Sequence, residues 1–391
     1  MRYTTKNFRS GRLALLFLGC LLLAALTVSC GSSSTHGLNG GGGGGPTAWS
    51  RVSTQPPNLA NASFLLIDDA GNLYVSAEQA GGMYISRDHG SSWNALNNGF
   101  VNDCHDAMVL NGAGEVLASD MSHSNVSGCA SLPNHLYRLP SRSTTWLQAS
   151  PGFSGFGQWP FYTSPTGRVF AGGEAGGSVY ISTDGGSSYA ECLGCPSIFS
   201  PTTTAETFDL KPGPGGYLYV ATARMGVFYS TDNGDHWTQM PCNGGLSCAG
   251  GSGQASDTKA LGVTPGGSLL IARDIDQGSV ACYGPQPPPN GSWTRCDAGL
   301  APGSGNHPNA VIADISGIWL NSSGSRVFLA ANSGGGHVGN VYSSTDGVHW
   351  STDNSGLPSN PNALNFTVDP STGLLYVLVK GSGIYHTQSP P

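Results

Sequence analysis

Short runs of about five residues, rich in β-branched and aromatic side chains, are separated along most of the chain by Gly, Asn, Asp and Ser. Each run reads as a strand and each interruption as a turn. One arrangement recurs: a Gly turn followed by an apolar run. It occurs at Gly71-Asn72-Leu73-Tyr74-Val75, Gly114-Glu115-Val116-Leu117, Gly167-Arg168-Val169-Phe170, Gly216-Tyr217-Leu218-Tyr219-Val220, Gly267-Ser268-Leu269-Leu270-Ile271, Gly324-Ser325-Arg326-Val327-Phe328 and Gly373-Leu374-Leu375-Tyr376-Val377. Successive turn glycines stand 43 to 57 residues apart, close to the ~40 to 50 residues of a four-stranded propeller blade. The expectation is an all-β, seven-bladed β-propeller of four-stranded antiparallel blades.

A second mark follows the first in register. Ser86-Arg87-Asp88-His89-Gly90-Ser91-Ser92-Trp93, Ser182-Thr183-Asp184-Gly185-Gly186-Ser187-Ser188-Tyr189 and Ser230-Thr231-Asp232-Asn233-Gly234-Asp235-His236-Trp237 share the pattern Ser-x-Asp-x-Gly-x-x-aromatic, and the segment around Asp346 is one residue shorter. Such a segment predicts a turn between the third and fourth strands: the Asp accepts turn N–H groups, the Gly takes a positive φ and the ring packs under the turn. The aromatic position alone counts seven: Trp49, Trp93, Trp146, Tyr189, Trp237, Trp293 and Trp350. Trp49 has no blade before it, and the repeat from Leu374 to Thr387 lacks a fourth strand. The two termini are therefore expected to complete one blade and close the ring, leaving no free edge.

Residues 1–29 read as a signal peptide. Arg2, Lys6, Arg9 and Arg12 precede an apolar run from Leu13 to Val28 that is shorter than the roughly 18 to 20 residues of a membrane span. Leu26-Thr27-Val28-Ser29-Cys30 resembles a bacterial lipoprotein box, which implies lipidation at Cys30, and Gly31 resembles outer-membrane sorting; the alternative is plain secretion. Residues 30–46, with six consecutive glycines from Gly40 to Gly45, form a tether that can bury nothing. The propeller then occupies 47–391. The expected location is the cell envelope, the membrane being reached only through the lipid.

The whole chain carries a formal charge of −7, and the four basic residues of the leader leave with it. No Lys/Arg cluster remains, which argues against nucleic acid or an anionic membrane surface as partner. Eight further cysteines fall into close pairs, Cys104-Cys129, Cys192-Cys195, Cys242-Cys248 and Cys282-Cys296, read as local disulfides of an oxidising compartment. Cys192-Leu193-Gly194-Cys195 has the spacing of a redox motif but precedes Pro196 rather than opening a helix, so a static loop disulfide is favoured. The histidines show no metal-ligand spacing, and no cofactor is expected.

The repeats resemble the Asp-box propeller superfamily, which includes sialidases, xyloglucanases, sortilin-type receptors and a photosystem II assembly factor. In such a propeller the starts of the innermost strands and the ends of the second strands share a face opposite the Asp-box turns. Asp106, Glu206, Asp257 and Asp314 fall near innermost-strand starts, and Glu78, Glu174, Asp274 and Lys380 near second-strand ends. The connection into the third blade adds Phe153, Phe156, Trp159, Phe161 and Tyr162. Acids and flat rings around a funnel suit a sugar, since carboxylates accept hydroxyl protons and rings cover the apolar face of a pyranose. Each residue has a structural alternative as blade core or as a cap for strand N–H groups.

The resemblance divides by chemistry. A sialidase would hold its substrate with three arginines, whereas only Arg224 and Arg273 approach this face and no Arg-Ile-Pro occurs. A xyloglucanase places two acids across a cleft between two propellers; Glu78 and Asp314 stand at similar positions, but the chain has one propeller. The photosystem factor is similar in size and export, without its basic patch being present here. The expectation is a non-catalytic, monomeric envelope lipoprotein that binds a glycan or an extracellular protein segment, with a glycoside hydrolase as the alternative. Hydrolysis would need two carboxyls about 5 to 5.5 or ~6.5 to 9.5 Å apart, one with a raised pKa. Glu78, Asp106, Glu174, Glu206, Asp257, Asp274 and Asp314 are instead expected around a solvated rim.

Overall fold

All seven turn glycines that mark the repeat adopt the left-handed region, with φ between 69° and 85°, where a side chain would be strained. Each turns the chain from the innermost strand of a blade into the second. The computed structural model describes residues 47–77, 81–120, 135–149, 158–173, 179–192, 207–222, 225–241, 258–273, 280–284, 288, 290–300, 315–321, 324–331 and 339–391. Within them, strands assemble into seven four-stranded antiparallel sheets, the seven-bladed propeller expected from the repeats.

From the inside outward, blade 1 comprises Ala62–Ile67, Leu73–Ala77, Gly82–Ser86 and Asn94–Ala95, and blade 2 comprises His105–Leu110, Val116–Asp120, Leu136–Leu139 and Leu147–Gln148. The innermost strands of blades 3 to 6 are Gln158–Thr163, Thr207–Pro212, Thr258–Val263 and Ile315–Leu320. Blade 7 comprises Ala363–Val368, Leu375–Val379 and Gly383–Thr387, with Trp49–Arg51 as its outermost strand.

The second strand is the most deeply covered element. Leu73–Ala77, Val327–Ala331 and Leu375–Val379 are buried at every position, because a blade's two faces both pack on neighbouring blades. That explains why these runs read as nearly continuous apolar stretches. Seven hydrophobic clusters follow, one at each blade-to-blade contact. Between blades 1 and 2, Tyr74, Met83 and Ile85 meet Met108, Val116, Tyr137 and Trp146.

The repeated aromatic does more than sit under its own turn. The indole N–H of Trp146 donates across the blade boundary to Leu96 O at 2.7 Å, that of Trp350 to Cys296 O at 2.7 Å, and that of Trp49 to Asp353 O at 2.8 Å. The backbone N–H groups of these three tryptophans donate to Asn98, Ala298 and Ser355. Each acceptor precedes a left-handed glycine, Gly99, Gly299 or Gly356, packed so closely that an added Cβ would lie 2.3, 2.1 or 2.0 Å from the tryptophan carbonyl oxygen. The Trp237 indole N–H instead donates to its own turn, at Gly234 O.

Trp49, Ser50 and Arg51 pair with Thr387, His386 and Tyr385, so N- and C-terminal strands close the ring together. Thr47 N–H donates to the buried Asp353 carboxylate at 2.6 Å, and Arg326 reaches both Thr47 Oγ1 and Asp353. Cys282 and Cys296 are bonded, as their spacing suggests. Cys104 and Cys192 are also disulfide-bonded; Cys129, Cys195, Cys242 and Cys248 lie outside the described residues.

Candidate functional site

Antiparallel order gives the propeller two unlike faces. One carries the turns between first and second strands and those between third and fourth; the other carries the innermost-strand starts and second-strand ends. On the first face, Ser86 Oγ donates to Asp88 at 2.8 Å and accepts from Gly90 N–H at 2.8 Å, while Ser92 N–H and hydroxyl donate to Asp88 at 2.8 and 2.6 Å. The same network surrounds Asp184, with Ser188 in the last place. At Asp232 and Asp346, the histidines His236 and His349 take that place.

These carboxylates are held as anions. The Ser92 hydroxyl and N–H, with Ser86, bring Asp88 down to about 2. Slight burial opposes the shift at Asp232, but His236 outweighs it and brings the acid to about 2. Asp184 and Asp346 are lowered in the same way against the same opposing burial. All four are occupied by their own turns and are structural.

On the second face, the innermost strand of every blade carries a register shift near its start, at Ala62/Phe64, His105/Met108, Pro160/Tyr162, Thr207/Asp209, Thr258/Ala260, Ile315/Gly317 and Ala363/Phe366. A bulge inserts an unpaired residue and re-aims the side chains beside it. Asp106 lies within the bulge of blade 2. Trp159 pairs with Gly172 inside the innermost strand of blade 3, which corrects its assignment to a connection; Phe161 and Tyr162 belong to the same strand. The aromatic, β-prone run pairs with Val169–Gly173 and so extends the strand toward its start. Tyr162 is core, its ring 6.0 Å from Phe170 and its hydroxyl pushed up to about 12 by burial. Glu78, Glu174, Glu206, Asp257, Asp274 and Asp314 lie outside the described residues, as do Phe153, Phe156 and Arg224.

A polar cluster that sequence reasoning missed stands at the second-strand end of blade 2. Asp120 is fully buried and accepts from Tyr137 Oη at 2.8 Å, Asn102 Nδ2 at 2.9 Å and the His135 backbone N–H, while His135 Nδ1 lies 3.0 Å from its carboxylate. Burial raises the acid's pKa although His135 and Tyr137 pull it down. Beside it, His105 pairs with Asp120 across the strands and is buried with neither ring nitrogen hydrogen-bonded. Burial drives its pKa down to about 3, which keeps the ring neutral against Phe100, 3.9 Å away between centroids. Asp120 ends the second strand of blade 2, and its burial follows from the partners that the fold brings to it, Asn102, His135 and Tyr137.

Further missed residues tie the innermost strands together. Asp209 accepts from Leu261 N–H of blade 5 at 2.9 Å and holds Lys211 at 2.7 Å, while Asn365 of blade 7 bonds both the N–H and the C=O of Leu65. Among the described residues no group of three or more His, Cys, Asp or Glu side chains could hold a metal ion.

No sequence-family model and no curated protein sequence matches the chain. Solved structures do match in shape. The GH74 xyloglucanase of Xanthomonas campestris aligns with a TM-score of 0.63 at 14% identity over 88% of this chain, which corresponds to 54% of that one. The YCF48 protein of Cyanidioschyzon merolae aligns at 0.56 and 15% identity over 88% and 99% of the two chains, and a YCF48 has been solved bound to a D1 peptide. Virginiamycin B lyase of Staphylococcus aureus aligns at 0.60 and 11% identity over 86% and 98%. At these identities the likeness defines a class, the seven-bladed β-propellers. That class contains both enzymes and a peptide-binding protein.

Proposed function

We propose that the chain is an exported envelope lipoprotein, tethered through Cys30, whose propeller binds a glycan or an extracellular protein segment on the face of the innermost-strand starts. The observation that carries this reading is the bulge near the start of all seven innermost strands. Bulges re-aim side chains at rims and beside binding sites, and here they surround one face, next in sequence to Glu206, Asp257 and Asp314. On the opposite face the box carboxylates are held by their own turns. The peptide carried by YCF48 supports a protein segment as ligand; the acids and Trp159 support a sugar.

Trp159→Ala and Asp257→Asn should weaken binding in glycan-array or pulldown assays, while polysaccharide hydrolysis stays at background. The hydrolase reading has one observation in its favour: burial shifts the Asp120 pKa upward, the direction a proton donor requires. Turnover abolished by Glu78→Gln, Asp314→Asn or Asp120→Asn with binding retained would decide for the enzyme. For the anchor, Cys30→Ala should abolish lipid labelling and release the chain from membranes; unchanged membrane retention would refute the lipid.

A further inference from the structure

An open cavity of about 360 Å³ lies between blades 1 and 2 on the Asp-box face, within the ~300 to 1,000 Å³ of small-molecule sites. Its walls are the first turn of blade 1 around Asp69, the box residue Arg87, and the outer turn of blade 2 from Leu139 to Ser143. Blade 2 has no Asp-box, and its replacement turn, closed by Ser143 N–H to Pro140 O at 2.9 Å, places Arg142 at φ 63°. That position favours glycine. An arginine held there by the turn points to a use for its side chain rather than to folding convenience.

The charges in this cavity divide into occupied and unoccupied groups. Asp68 accepts from two turn N–H groups, from Asn72 Nδ2 and from Tyr74 Oη, and Glu115 is paired with Arg138 at 3.0 Å. Elsewhere Arg168, Lys211, Arg295 and Arg326 each pair with a carboxylate, and Arg51 donates to Ser382 O. Arg87 and Arg142 have neither kind of partner among the described residues, and both line this one cavity with exposed Asp69.

We infer that this groove binds a carboxylated sugar of the hexuronate class. Two guanidinium groups present planar paired donors that match a carboxylate. Asp69 and the exposed Ser141 hydroxyl offer acceptors and a donor for ring hydroxyls, while half-buried Pro140 gives apolar surface for the sugar's C–H face. The site is on the opposite face from the one proposed above, so either can fail without the other.

The test is calorimetric titration of the chain with trigalacturonate at low salt, with galactotriose and triglycine as the neutral-sugar and peptide-carboxylate arms. Saturable binding of trigalacturonate is expected, weakened about tenfold or more by Arg87→Gln and by Arg142→Gln and by added salt. Arg51→Gln, outside the cavity, should leave it unchanged. Equal binding of galactotriose or of triglycine, indifference to both cavity substitutions, or no saturable binding at about 10 mM ligand would overturn the inference.

Discussion

Ser86, Ser182, Ser230 and Ser344 are all buried, and each passes a hydrogen bond from a glycine N–H to an aspartate. Because the box acids titrate below their unfolded value of ~3.9, the unfolded chain binds more protons in acid. Their contribution is present above pH ~4 and is lost as the pH falls toward about 2. The melting temperature should therefore drop through that window, and Asp88→Asn with Asp232→Asn should flatten the slope there; an unchanged slope would contradict it. Arg142 carries the opposite kind of local cost. Arg142→Gly should raise stability by roughly 0.5 to 1 kcal/mol, read from urea midpoints, while weakening trigalacturonate binding. A loss of stability would assign the arginine a structural role instead. The box residues were legible in the sequence because each motif is local. Asp120 was not, since its partners Asn102 and His135 are brought to it by loops and by an adjacent strand.

At the level of the element, the close approach of one blade's exit turn to the next blade's tryptophan is the tightest recurring contact. Gly99→Ala, Gly299→Ala and Gly356→Ala should each cost more than about 2 kcal/mol, through a backbone clash added to the positive-φ penalty. Gly114→Ala is the control: φ is 73° there too, but nothing lies within 4 Å of an added Cβ, so about 1 kcal/mol is expected. Equal losses at both kinds of site, measured by chemical denaturation, would show that the contact contributes nothing. The second strands were readable as unbroken apolar runs. The outer strands were not, because several contain only two residues, as at Asn94–Ala95 and Ser351–Thr352, too few for any period to register. The sequence does hold a signal for the exit turns, in Asn97-Asn98-Gly99-Phe100, Asp297-Ala298-Gly299-Leu300 and Asn354-Ser355-Gly356-Leu357. Trp159 was misplaced because Pro160, which lacks an N–H for the ladder and reads as a break, stands between it and Phe161, whereas in the fold the proline sits beside the bulge.

For the molecule as a whole, closure was visible in one odd residue, a box-type tryptophan standing before the first repeat. Trp49 is 3% exposed and packs on Phe328 and Phe366, so Trp49→Ala should cost about 3 to 5 kcal/mol. Trp93, half-buried in a blade that is continuous in sequence, should cost clearly less; the reverse order in denaturation experiments would contradict closure through the N-terminal strand. The binding face is a claim about the same whole-molecule geometry, because no single blade contains it. It is tested most directly by one pulldown series on glycan and peptide arrays. Ligands that retain the wild-type chain should lose Trp159→Ala and Asp257→Asn while still retaining Arg168→Gln, whose Asp235 partner lies in a turn between third and fourth strands, on the opposite face. Loss confined to Arg168→Gln, with the other two variants bound as tightly as wild type, would place the binding surface on the wrong face of the ring.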